Sequence, residues 1–84
     1  MKFIKVESSA ISGAAHQGKE LFIEFKGGKV YKYLNVNQSV FKALLEADSV
    51  GKFFNSKVRN SYFWKEYTPT KESVFGDFID GLFR

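Results

Sequence analysis

The sequence predicts a small α+β domain: an antiparallel sheet of three to four strands, two helices packed on one face, and an extra C-terminal amphipathic helix. Three observations carry that expectation. Leu21 to Leu34, LFIEFKGGKVYKYL, holds two runs of alternating apolar residues joined by Gly27-Gly28. Two later stripes, Val40, Phe41, Leu44 and Leu45, then Val50, Phe53, Phe54 and Val58, recur at helical spacing. The chain's 84 residues allow one core, with no cysteine to staple it. Residues 1–67 are expected to form the domain, and residues 68–84 a linker and helix.

The hairpin has the clearest local cause. Leu21, Ile23 and Phe25 share one parity, the mark of a half-buried strand, and the two glycines supply the positive φ of a tight turn. Tyr31 and Tyr33 fall on one side of the second strand, about 7 Å apart, either as core filler or as a stacking platform. Before the hairpin, Phe3 to Val6 alternates and reads as a first strand. Ser8 to Gly13 is small-residue chain, a bend or bulge leading into more strand. Ala14 to Lys19 reads as the turn into the hairpin, which leaves His16, the only histidine, exposed in a loop with no catalytic partner.

After the hairpin, Asn35-Val36-Asn37 breaks the alternation and Asn37 caps a helix beginning at Gln38. Asp48-Ser49 closes that helix, and Ser49 caps a second, Val50 to Arg59. Its polar side gathers Lys52, Asn55, Ser56 and Arg59, either a solvated face or a phosphate site in which Arg59 forms a bidentate fork. Tyr62 to Tyr67 places four aromatics in six residues, suited to a last strand or extended segment with Trp64 in the core.

Thr68-Pro69-Thr70 is a linker in which Pro69 disfavours helix at Thr68 and Thr70 caps the last helix. From Lys71 onward, Val74, Phe75, Phe78, Ile79, Leu82 and Phe83 cover about half of a helical circumference, opposite Asp77 and Asp80. Phe75, Phe78, Ile79, Leu82 and Phe83 are therefore the expected oligomer or partner interface, packing on their own domain, on a partner subunit or on another protein. Gly76 and Gly81 weaken this helix, so it is expected to form only when docked. Its acidic face disfavours an anionic membrane surface. No stretch approaches transmembrane length, and MKFIKVESSA lacks a signal-peptide core, so a cytoplasmic setting is expected.

The net charge of +4 is unevenly distributed. Residues 1–25 are neutral. Residues 26–65 carry Lys26, Lys29, Lys32, Lys42, Lys52, Lys57, Arg59 and Lys65 against Glu46 and Asp48, a balance of +6, and residues 66–84 carry −2. That middle region suits an anionic partner, or else is scattered solubilising charge. Nucleophile elbow, phosphate loop and zinc-protease spacings are absent, so no enzyme, metal or cofactor is expected.

With these residues in view, Val6 to Tyr67 resembles a KTSC domain, a module named for its place at the C-terminus of some lysyl-tRNA synthetases and found alone in bacteria and phages. The resemblance rests on Val6-Glu7-Ser8-Ser9-Ala10-Ile11, Glu24-Phe25-Lys26-Gly27-Gly28 and Tyr31-Lys32-Tyr33. It continues through Phe41-Lys42-Ala43-Leu44-Leu45 and Gly51-Lys52-Phe53-Phe54-Asn55 to Val58-Arg59. Asn37-Gln38 departs from the pattern, which commonly has proline before the first helix. The resemblance implies RNA binding, from the fusion to a tRNA enzyme, and its matching polar and aromatic positions are Ser9, Tyr31, Tyr33, Asn55 and Arg59.

The leading functional expectation is a non-catalytic module for RNA, another nucleic acid or a phosphate-bearing nucleotide. Tyr31 and Tyr33 would stack bases, Lys29, Lys32, Lys52, Lys57 and Arg59 would contact phosphates, and Ser9 and Asn55 complete the expected binding residues. The alternative is a phage- or mobile-element-encoded interaction or inhibitor protein. It would self-associate as a homo-oligomer and bind a host protein, or sequester a nucleotide-type metabolite.

Overall fold

Five antiparallel strands lie side by side in the order of the chain, each joined to the next by hydrogen bonds. The computed structural model describes residues 2–67. The strands are β1 (Ile4–Lys5), β2 (Ile11–Gln17), β3 (Glu20–Phe25), β4 (Val30–Tyr33) and β5 (Trp64–Tyr67). Between β4 and β5 run α1 (Gln38–Glu46) and α2 (Val50–Phe53), the second continuing directly into a π-helical turn, Phe54–Val58. The result is α+β, as the sequence predicts, with five strands in place of three to four.

The extra strand comes from ISGAAHQ, most of which reads as a turn. Small residues there pack tightly rather than bend: Ala14 and Ala15 are buried, and Gly13 lies against Glu24 and the Ile4 carbonyl. The pairing with β3 shifts register between Ile11 and Gly13, the irregularity that the small-residue run suggests. Only Gly18-Lys19 turns, with Gly18 at φ +63°. The central hairpin turns where expected, Gly27 and Gly28 adopting φ +107° and +100°, a region closed to most side chains.

Strand parity sorts the side chains into two faces. Leu21 pairs with Tyr33 and Ile23 with Tyr31, and this face carries the main core with Ile11, Ala14, Val36, Leu44, Val50, Phe54 and Val58. Both helices contribute to it. Ser49 caps α2 by accepting from the Lys52 N–H at 3.2 Å, as its position predicts. Asn37 occupies the N-cap of α1 but makes no side-chain cap. The opposite face holds a smaller cluster of Ala15, Phe22 and Val30, flanked by Phe3 and Tyr67.

His16 departs from its expected loop. It stands on β2, half-buried, its ring stacked on Phe41 at 5.5 Å and its Nε2 2.8 Å from the Val36 carbonyl. A carbonyl only accepts, so Nε2 carries the proton and ties β2 to the segment entering α1. Trp64 departs as well. It is 52% exposed, because β5 is an edge strand and the indole lies flat on Tyr31. The expected helix from Lys71, with Phe75, Phe78, Ile79, Leu82 and Phe83, lies outside the described residues. Among the described residues, no helix is long and apolar enough to cross a membrane.

Phe22 holds the helix-free face together. It is 3% exposed and meets Phe3 and Tyr67 edge-on, at 6.5 and 4.9 Å, tying both margins of the sheet to its centre. Phe22→Ala is expected to cost about 3–5 kcal/mol, read as a fall in the urea midpoint.

Candidate functional site

Tyr31 and Tyr33 leave β4 on the helix-bearing face, and Trp64, opposite Tyr33 across the β4–β5 ladder, joins them there. Directly opposite residues of an antiparallel pair share a face. The rings of Tyr31 and Trp64 stack at 4.8 Å with an interplanar angle of 2°. Phe25 meets Tyr31 edge-on at 5.5 Å and Phe54 at 5.6 Å, and Phe54 meets Tyr33 at 5.5 Å. An aromatic layer thus runs from the edge strand to the helical turn.

That layer floors a groove of about 660 Å³. Its polar wall is made of Asn55, Arg59 and Asn60. In an uninterrupted α-helix, at about 100° per residue, Asn55 and Asn60 would point roughly 140° apart. The π turn changes this. The Arg59 N–H bonds the Phe54 carbonyl five residues back, at 2.9 Å, and the wider turn brings the two amides toward one side. Ser56 contributes locally: its hydroxyl donates to the Lys52 carbonyl at 2.9 Å, the acceptor that its own backbone N–H would use in an α-helix.

Tyr33 is the most buried aromatic of the groove, at 3% exposed. Burial, and secondarily the neighbouring Tyr31 phenol, push its hydroxyl up from 10.0 to about 12, against the opposing pull of Arg59. At neutral pH the hydroxyl is protonated and can donate or accept a hydrogen bond. Trp64 presents an exposed π face, Arg59 a planar cation, and the two asparagines both donors and acceptors. Stacking and anion capture are what this set can do.

Of the residues singled out from sequence, the groove unites Tyr31, Tyr33, Asn55 and Arg59. Ser9 lies elsewhere, in a shallow hollow with Ser8, Ser12 and Lys26. Lys32 projects from the other sheet face, 3.6 Å from Glu20 and 5.8 Å from the centre of the Tyr67 ring. Lys29 stands beyond the hairpin turn, 4.0 Å from Glu66. Lys52 and Lys57 are exposed on the helical segment and do not line the groove. The expected single basic surface is therefore divided, and Arg59 is the one cation among the described residues that lines the groove. Trp64 and Asn60 are among the lining residues that sequence reasoning does not single out. Pattern places Trp64 in the core and makes Asn60 a helix terminator; the signal for Trp64 is the density of aromatics around it.

Residues 7–62 match the KTSC domain family, a span that stops short of β5 and Trp64. A protein of Stutzerimonas stutzeri strain A1501 is 35% identical over 69 residues, 77% of this chain and 97% of that one. A protein of Tsukamurella paurometabola is 45% identical over 56 residues, 64% of this chain and 84% of its own. The crystal structure of a KTSC domain protein from Yersinia pestis has the same fold. Its TM-score is 0.74 at 24% identity, with 80% of this chain and 97% of that one covered.

The buried Tyr33 hydroxyl sets an alkaline limit. Because its folded pKa, about 12, exceeds its unfolded value of 10.0, its contribution is intact below pH 10 and is lost as pH rises toward 12. Urea unfolding across this window should lose on the order of 2 kcal/mol in the parent, and Tyr33→Phe should flatten that part of the profile.

Proposed function

The chain belongs to the KTSC domain family, and we propose that it is a non-catalytic binding module whose aromatic groove takes RNA, another nucleic acid or a phosphate-bearing nucleotide. The observation that carries this reading is the parallel stack of Trp64 on Tyr31 in the same groove as the Arg59 guanidinium. A base laid on the open face of Trp64 would extend an existing stack rather than order a new one. Base–aromatic stacking contributes about 1–3 kcal/mol per base. Arg59 would fork a phosphate, and Asn55 and Asn60 would meet base edges or sugar hydroxyls. The occurrence of such a module at the C-terminus of some lysyl-tRNA synthetases supports RNA as the first of these ligands to test. In the same reading the protein works in the cytoplasm.

Trp64 is the only tryptophan, so its emission reports on the site directly. Titration with a panel of short single-stranded RNAs and DNAs at low and moderate salt should quench that emission and raise the polarisation of a labelled strand. Arg59→Ala should weaken binding by roughly ten- to a hundredfold. Trp64→Ala and Tyr31→Ala should weaken it by a comparable factor, while Lys32→Ala, altered on the other sheet face, should stay within about twofold. Absence of both quenching and polarisation change at low salt would remove this reading.

A further inference from the structure

We infer that the groove is a one-nucleotide, one-phosphate site, accepting a single nucleotide unit such as a free nucleoside monophosphate or the end of a strand, rather than a track for a polynucleotide. This rests on the nucleotide-binding reading above and narrows its ligand. Three observations converge on it.

The first is charge. A track needs cations spaced along its length, yet the groove carries Arg59 alone among the described residues. Lys32 faces the other side of the sheet beside Glu20. Lys29 is beside Glu66, and that carboxylate stands directly opposite Tyr31 on the groove's own face. A strand leaving the groove along β5 would meet this pair, and the other cation on that side, Lys26, lies with Lys29 in a separate hollow beyond Tyr31.

The second is extent. About 660 Å³ lies within the range of small-molecule sites, roughly 300–1,000 Å³. Within the groove the most exposed ring is that of Trp64, whose indole is stacked on Tyr31. Tyr31 and Phe25 separate the groove from a second hollow, lined by Lys26, Gly27 and Lys29.

The third is how the polar groups are held. The segment that contains the π turn places Asn55, Arg59 and Asn60 on the lining of one groove. Tyr33 lines the same groove. One guanidinium beside two amides on one wall suits a single anion with its attached ring.

The test compares ligands of different length on the full chain, by Trp64 quenching and calorimetry. Nucleoside 5′-monophosphates, the matching nucleosides, and RNA of about 12 nucleotides with and without a 5′-phosphate are titrated over roughly 50–400 mM potassium chloride. A monophosphate should bind within about tenfold of the longer RNA, a margin that its several equivalent positions supply by counting. Removing the phosphate should cost roughly tenfold or more. The logarithm of the RNA affinity should fall against the logarithm of salt with a slope of about −0.7, the value for one phosphate contact on a single strand. A 5′-phosphate that strengthens RNA binding identifies strand ends as the source; equal binding with and without it identifies the single unit, free or internal.

Silent mononucleotides beside an RNA that binds with a slope steeper than about −2 would overturn the one-nucleotide site and leave nucleic-acid binding standing. Failure of every ligand would overturn both. Ser56→Ala supplies a check on geometry: the fold should survive, and monophosphate affinity should fall severalfold if the back-bonded hydroxyl holds the π turn.

Discussion

The register of β4 on β3 is the constraint that determines both faces of the molecule. With Ile23 opposite Tyr31 and Leu21 opposite Tyr33, the tyrosines join the helix-covered core, and Val30 and Lys32 face the other way. A slip of one residue would exchange the faces, burying Lys32 among Leu44 and Phe54. That exchange is blocked from two sides. Gly27 and Gly28 fix the turn with positive φ values, and Phe22 occupies the second face between Phe3 and Tyr67. The same register passes to β5, where it sets Trp64 opposite Tyr33 with its indole stacked diagonally on Tyr31. The groove's floor is thus a consequence of sheet pairing, requiring no specialised loop.

Its wall has a different origin. The chain from Val50 begins as a capped α-helix and widens at Phe54, where a large side chain must reach both Phe25 and Tyr33 while Val58 stays fully buried. Both demands are met by a turn in which the Arg59 N–H reaches back to Phe54. Such turns interrupt the regular ladder and carry a cost, and they are found disproportionately where side chains must be aimed. Here the aim is shared by Asn55, Arg59 and Asn60. Core packing and site geometry are accordingly one solution: a substitution that restored regular helix would alter the wall even if every polar residue were kept.

Much of this is legible in the residues alone. Alternation in LFIEFKGGKVYKYL, the glycine pair and the cap at Ser49 identify β3, β4 and α2, because each has a local physical cause. β2 escapes because strand signals rest on branched and aromatic side chains, and Ala14-Ala15 has neither; its pairing is decided by neighbours that need room. His16 is misplaced with it. Tyr31, Asn55 and Arg59 can be nominated from pattern, but their convergence depends on a π turn that no periodicity announces. Trp64 is the instructive case. Hydrophobicity assigns tryptophan to the interior, whereas an edge strand and a waiting tyrosine ring leave it half in water.

The charge balance depends in the same way on how the strands are paired. Eight cations lie between residues 26 and 65, and along the chain they look like one basic surface. Strand alternation sends Lys32 and Lys65 to the face opposite Tyr31 and Tyr33, since Lys32 and Lys65 are direct partners in the β4–β5 pair. Glu20 and Glu66 come to Lys32 and Lys29 from other strands, so acidic residues outside that interval cancel part of its excess. Exposed pairs of this kind add little stability, about 0–1 kcal/mol, yet they remove positive potential from the places where a phosphate chain would run. Arg59 keeps its charge within the groove because the helical turn, rather than the sheet, positions it. A modest net charge with one cation in an aromatic groove favours a ligand recognised by its ring and a single phosphate over one held by its length.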